Sequence, residues 1–433
     1  MVRVAVIGSG ISGLSAAWRL SVQSAGVAVS LFESQAQFGG HANTVDLQLD
    51  GITYAVDTGF LVYNERTYPG LSALFDRLGV ETAPSEMSFS VQAPGLEWCG
   101  STLGSVFCQA RNLLRPKFWG MLRDIARFNH VCSGLAVRGV PISPELSVGD
   151  FLDRQRLGPA FVNDYLLPMI GSIWSSPTRD MRSFPLATLI RFCHNHGLLQ
   201  VRDRPQWRTV RAGSRQYVRK LLAQVPDARP GTPVRALQRH DSGVRVVTDT
   251  GAERFDAAIL ACHPDQALHL LGTGASTAER ELLGAIRYRR NHVVLHTDAC
   301  VLPRRRRAWA SWNFERDATP DGGQICLHYL LNRLQPLPWS RPVIVSMNPL
   351  RAIDPGRIHA QFAYEHPFFD AAAIDAQSRL GSLQGQGRLW YCGACCGYGF
   401  HEDGLQSGFD AATQVARALA PRREAPVHLA EAA

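Results

Sequence analysis

At 433 residues the chain is long enough for two or three domains, and 45% apolar with 19% charged content fits a soluble globular protein with ample core. No apolar stretch approaches the ~20 residues of a spanning helix, and no secretory leader precedes the first apolar run, so a cytosolic protein is expected. The net charge of +8 rests almost wholly on arginine, Lys117 and Lys220 being the only lysines. A solvated basic surface explains it more simply than nucleic acid, with an anionic membrane surface, contacted peripherally, as the alternative.

In chain order, Val4–Ile7 is an apolar run that leads into Gly8, Gly10 and Gly13 at GxGxxG spacing and then into Leu14–Leu20. The pattern predicts buried strand, tight turn and helix. Gly8 permits the turn, Gly10 leaves room for a pyrophosphate on the helix N-terminus, and Gly13 lets helix and strand pack closely. A second apolar strand, Val27–Phe32, ends at Glu33, 20 residues past Gly13, where a carboxylate accepts the hydroxyls of a dinucleotide ribose. Gly39 and Gly40 then precede His41, and Asp57, Thr58, Gly59 and Phe60 follow a turn at Asp50–Gly51. A nicotinamide cofactor has no use for a second glycine surface; the longer FAD does.

Residues 67–80 read as an amphipathic helix closed by Gly79, and Ser88–Gln92 as a strand. Residues 103–225 are mostly helical, broken by Pro141, Pro144, Pro159, Pro168, Pro177 and Pro185. Within them Phe107, Leu113, Leu114, Phe118, Trp119, Leu122, Ile125 and Phe128 alternate with Arg111, Arg115, Lys117, Arg123 and Arg127. A core-facing helix with snorkelling arginines is the preferred reading, a helix in a bilayer interface the other. Arg211–Ser214 precedes a helix at 215–222. Residues 233–237 and 243–248 form a hairpin, and Phe255–Cys262 is a strand expected beside residues 4–7, which makes the cofactor domain discontinuous. From 275 to 380 the strands His292–Asp298, Ala308–Phe314, Ile325–Leu331 and Val343–Met347 suggest a second, largely antiparallel sheet, with Arg304–Arg307 as a charged loop.

The closing segment returns to the cofactor. Leu389–Cys392 is a strand, Gly393–Ala394 a turn, and Gly397–Gly404 leads into a helix at 405–419, whose positive end would favour the reduced flavin ring. Ten scattered cysteines read as reduced thiols. Cys392 and Cys395 form a CxxC better explained by close backbone approach than by redox work, and no metal site is expected.

These features together (the glycine fingerprint, Glu33, Gly39–Gly40, Asp57–Gly59, the strand end Ile259–His263, Gly404 and Gly408) resemble the flavin amine oxidase and phytoene desaturase superfamily. Phe38–Thr44, Asp57–Asn64, Asn195–Leu199, Leu295–Asp298, Trp309–Trp312, Asn348–Pro349 and Gly399–Gly404 resemble more narrowly a bacterial group of FAD-dependent oxidoreductases associated with cyclopropane-fatty-acid-type lipid methyltransferases. The resemblance implies an α/β fold. Its Rossmann-type FAD-binding domain would span 1–80, 206–272 and 385–420, its mixed sheet-plus-helices substrate domain 81–205 and 273–384, and a tail 421–433. It implies FAD contacts at Gly8, Gly10, Ile11, Ser12, Gly13, Glu33, Ser34, Gly39, Gly40, His41, Asp57, Thr58, Gly59, Phe60, Val234, Ala261, Gly393, Glu402, Asp403, Gly404 and Leu405. His41 replaces the arginine frequent after the glycine pair, Ala394 replaces a glutamate, and the lysine opposite the flavin in amine oxidases has no counterpart in Arg289–Val293. Backbone groups, Asp57 or Glu402 would then supply the lost cofactor bonds. The expected activity is desaturation of a methylated or unsaturated acyl chain, with His401 and His41 as candidate catalytic groups and a lipid methyltransferase as a candidate partner. An oxygen-using amine oxidase and a non-catalytic flavin-binding partner of a lipid-modifying enzyme are the other readings.

Overall fold

The computed structural model describes residues 1–143, 145–200, 203–317 and 325–420; Pro144 and the tail at 421–433 lie outside them. Its organising sheet is parallel throughout, with strands in the order Asp227–Arg229, Val27–Phe32, Val2–Ile7, Ala257–Leu260 and Leu389–Tyr391. Three distant stretches therefore build one layer. The central strand carries Val4, Ala5 and Val6 at zero exposure, as a strand covered on both faces requires. Helices Ile11–Gln23 and His401–Leu419 pack against each other on this sheet. Gly408 faces Ser12 so closely that a Cβ there would lie 2.2 Å from the Ser12 carbonyl oxygen.

The run Phe255–Cys262 is two elements rather than one strand. Gly251–Phe255 closes a three-stranded antiparallel sheet with Val234–His240 and Gly243–Thr248. At Asp256 the chain crosses over, held by Arg3 N donating to its carboxylate (2.7 Å) and by its own N–H on Arg3 O (2.8 Å). Ala257–Leu260 then joins the parallel sheet.

The second large sheet has seven strands, in the order Ile358–Phe368, Arg287–His296, Ile344–Met347, Cys326–Leu330, Trp312–Glu315, Phe89–Ala93 and Leu96–Cys99. Every neighbouring pair is antiparallel except Trp312–Glu315 with Phe89–Ala93. Ala308–Phe314 begins as strand only at Trp312, because Arg306–Ala308 is a 3-10 turn. The edge strand Ile358–Phe368 is absent from the sequence reading.

Helix Pro69–Leu78 belongs to the parallel-sheet half, packing on His401–Leu419, and ends at Gly79 with φ 62°, as its sequence signals. Other helices pack on the core of the seven-stranded sheet. Pro116–Val137 buries Phe118, Met121, Phe128 and Cys132, with Leu122 and Ile125 packed on the same core. Its apolar stripe thus faces protein. Pro168 does not end its helix: Pro159–Phe161, the π-turn Val162–Leu166 and Leu167–Trp174 run on without interruption. The wide turn accommodates the missing N–H. Among the described residues no helix is long and apolar enough to cross a membrane.

Candidate functional site

One cavity of about 2870 Å3 runs from the first glycine turn to the helices over the seven-stranded sheet. Gly8 turns at φ 100°, where a Cβ would sit 2.8 Å from Ala261 O. At Gly10 a Cβ would meet nothing within 4 Å, and Gly10 is the N-cap of Ile11–Gln23 with no side-chain cap. Uncapped N–H groups thus open on the cavity beside a backbone with no side chain in the way. A Cβ on Gly40 would lie 3.1 Å from Gly10 Cα, so the two glycine surfaces abut. This cradle fits a pyrophosphate, whose charge would complete the helix end.

Glu33 stands at the sheet's carboxyl edge and is 8% exposed. Its Oε2 accepts from Ser9 N (3.0 Å) and Ser9 Oγ (2.6 Å), its Oε1 from Gln35 N (2.9 Å) and Ser34 Oγ (3.2 Å). It therefore fixes the phosphate turn as well as facing the cavity. Ile11, Ser12, Ser34, His41, Thr58, Gly59, Phe60, Val234, Ala261 and Gly393 also line the wall. Gly13, Gly39, Gly404 and Leu405 stand behind it: Gly404 presses on Ile11 and Ser12, and Leu405 is fully buried.

Three acids expected at the cofactor are committed elsewhere. Asp57 accepts from Ser214 N (2.9 Å), Ser214 Oγ (2.7 Å), Thr44 Oγ1 (2.6 Å) and Gln335 Nε2 (3.0 Å). It ties the hairpin Thr44–Asp57 to helix Arg215–Leu222, and burial pushes its carboxyl up to about 6. Glu402 accepts from Gly70 N and Leu71 N, both 2.9 Å, capping helix Pro69–Leu78. Asp403 accepts from Phe400 N (2.9 Å) at the start of its own helix, and burial raises it to about 6. The expectation that Asp57 or Glu402 supplies cofactor bonds is corrected accordingly, since neither lines the cavity.

Both candidate histidines do line it. His401 stacks on Phe60 (centroids 3.7 Å, planes 12° apart) and its Nε2 lies 3.0 Å from Tyr217 Oη. Burial lowers it to about 3. His41 packs between Tyr364 and His366, with centroids 5.0 and 5.2 Å away, and its buried Nε2 has no hydrogen-bond partner. Burial, then the neighbouring His366, His263 and His401, hold it well below the ordinary range. Both rings are neutral near neutrality. They suit hydrogen bonding and orientation, and burial argues against His401 storing a proton.

Tyr364, His366 and Tyr288 were not singled out in the sequence, and His263 only as the end of a strand. Tyr364 Oη meets Thr58 Oγ1 (2.7 Å) and Asn43 Nδ2 (2.8 Å), which joins the edge strand to the cofactor half. His263 stacks on Tyr288 at 3.9 Å. Residues 360–367 of the edge strand all reach the cavity, so no alternation in its sequence picks out the ones named here.

Farther in, the wall turns apolar, with Phe89, Trp98, Leu122, Tyr165, Met169 and Met347. Among the described residues lining the cavity none is lysine, and Glu86 is paired with Arg333 at 2.7 Å. All ten cysteines are free thiols, and Gly393 and Ala394 within the CxxC line the cavity. Glu315, Cys326 and His328 come together at metal-ligand spacing on paired strands. However, Arg351 already lies 2.7 Å from Glu315, a cation in place.

A parallel-sheet cradle with two glycine surfaces, opening on a large apolar chamber, defines a dinucleotide-dependent flavoprotein. The chain belongs to the flavin containing amine oxidoreductase family, whose pattern matches residues 11–296. It is 28% identical over 280 residues to the carotenoid phi-ring synthase of Streptomyces griseus, covering 60% of this chain and 52% of that one. It is 26% identical over 277 residues to a Mycobacterium tuberculosis protein named for flavin-containing monoamine oxidase, covering 61% and 57%. The matched region thus spans little more than half the length of these relatives. Among solved structures, cyclohexylamine oxidase from Brevibacterium oxydans superposes with TM-score 0.68 at 16% identity, covering 96% of this chain and 99% of that one. A CLA-producing fatty acid isomerase from P. acnes gives 0.65 at 14%, covering 95% and 98%. Both likenesses speak to fold alone.

Proposed function

We propose that this chain is an FAD-dependent oxidoreductase that dehydrogenates an apolar chain-like substrate, a methylated or unsaturated fatty acyl group being the class that fits best. The observation that carries this reading is the inner cavity wall, built from Phe89, Trp98, Leu122, Tyr165, Met169 and Met347. An apolar chain is bound there by burial of its surface, at about 0.8 kcal/mol per methylene. The same wall excludes water from the reacting carbon. When bound, FAD supplies a two-electron acceptor for a C–H hydride. The chain's own task is then orientation. Phe60 and His401 form a stacked plate on one side of the cavity, held by Tyr217; Tyr364, tied to Thr58, and His41 form another. A lipid methyltransferase would be a natural source of such a substrate.

The test is anaerobic mixing of the FAD-loaded protein with dispersed acyl lipids, following loss of the flavin absorbance and the mass of the product. Bleaching with a product two mass units lighter is expected. His401→Ala should slow bleaching; an unchanged rate would remove its orienting role. The second reading, an amine oxidase, is favoured by the Mycobacterium tuberculosis relative named for that activity. Peroxide release with a panel of amines, together with no response to acyl lipids, would establish it in place of the first.

A further inference from the structure

Two basic stretches far apart in the chain meet on one surface. The Glu97 carboxylate accepts from Arg304 N (3.1 Å) and Arg305 N (3.2 Å), which clamps the Arg304–Arg307 loop onto strand Leu96–Cys99. The 3-10 turn Arg306–Ala308 then packs on the short helix Leu103–Val106. Beside it the 3-10 turn Ala110–Leu114 leads into helix Pro116–Val137.

The apolar side chains here are unusually open. Leu103 is 80% exposed, Leu114 86%, Leu113 50% and Trp119 49%. Trp119 donates its indole N–H to Leu113 O (2.9 Å), so the polar edge is satisfied while much of the ring remains uncovered. The exposed charges around them have one sign: Arg304, Arg306, Arg307, Arg111, Lys117 and Arg123. No acid occurs in the sequence between Glu97 and Asp124, and both of these are buried, at 8% and 4% exposure. Thr102 and Val106, flanking Leu103 and Gly104, line the large cavity, as do Leu122 and Ile125 of the neighbouring helix.

We propose that this face docks on an anionic lipid bilayer. Leu103, Leu113, Leu114 and Trp119 enter the interface, and the arginines and Lys117 sit among the headgroup phosphates. Apolar residues ringed by cations, with an aromatic ring at the boundary, match the chemistry of an acidic membrane surface. The remaining apolar stripe of helix Pro116–Val137 stays in the core, so docking needs no change of fold. The contact brings an end of the cavity wall to the lipid, the phase in which an acyl substrate resides. This adds a partner to the dehydrogenase reading, and its test involves no turnover.

The experiment is co-sedimentation of the FAD-loaded full chain with phosphatidylcholine vesicles, with and without phosphatidylglycerol. Binding to the anionic vesicles alone, weakened by salt, is expected. Leu103→Glu with Leu114→Glu should lower partitioning by about tenfold per site. Arg304→Gln, Arg306→Gln and Arg307→Gln should lower it by about fivefold each. Unchanged flavin absorbance and thermal midpoint in these surface variants would exclude a folding effect. Absence of binding to anionic vesicles, or equal binding by the leucine variant, would overturn the proposal. So would a dimer in sedimentation that this variant breaks while vesicle binding persists, since the face would then belong to a second copy. Vesicle binding without bleaching by any acyl lipid would sink the substrate reading and leave the docking surface standing.

Discussion

Acid should unfold this protein earlier than its carboxylates alone would require. His196, His296 and His366 are lowered by burial to about 4, and His401 to about 3, against an ordinary 6.5. Below 6.5 the unfolded chain binds protons that these folded rings refuse. Their contribution is therefore complete above that pH and is lost as the pH falls toward the folded values. Between about pH 7.5 and 5.5 each ring costs about 1 kcal/mol or slightly more, and the four together about 5. Asp57 and Asp403, raised by burial to about 6, act in the opposite sense, because the folded state takes up their protons first. Over the same interval they return about 1 kcal/mol or slightly less each. The net loss is about 3–4 kcal/mol, a large share of the 5–15 kcal/mol typical of a folded domain. Urea titrations of the apoprotein at the two pH values, read by tryptophan fluorescence, measure it without cofactor linkage. The midpoint should fall with the pH; an equal or higher midpoint at the lower pH would refute the assignment of these rings as neutral and buried.

Three further perturbations follow from the geometry. Gly13→Ala places a Cβ 1.8 Å from Gly8 O, so it should abolish FAD retention on a desalting column and destabilise by about 3 kcal/mol in urea. Asp57→Ala strands the Ser214, Thr44 and Gln335 donors and should cost about 3 kcal/mol in the same assay. Ile173→Trp narrows the inner cavity far from the glycine turns; bleaching by acyl lipid should slow at least about tenfold while bound flavin stays stoichiometric.

The parts legible in the sequence are those whose signal is local. Val4–Ile7, the glycines to Gly13 and Glu33 lie within one short unit; backbone neighbours explain Gly8 and Gly13, and open space on the cavity explains Gly10. Helix Pro69–Leu78 announced its end at Gly79 because a single αL residue terminates it. Strand Ile358–Phe368 escaped because it lies at a sheet edge, mixes polar with apolar residues and carries Pro367, while its partner begins at Arg287. Asp57 and Glu402 looked like cofactor ligands for want of any view of their real partners, Ser214 and Gly70, which only the folded chain brings near. The apolar chamber was likewise hidden, since its lining is gathered from helices and strands far apart in the chain.

The parallel sheet has a consequence for how the protein comes into being. Its strands leave the ribosome out of spatial order: the central pair from residues 2–32, its neighbours near 227 and 257, and the last edge only at Leu389–Tyr391. The helix that covers Ile11–Gln23 is later still, beginning at His401. A nascent chain therefore carries an open, unpaired edge and an uncovered helix face through most of its translation. Flavin capture has to wait until that final wall has been made.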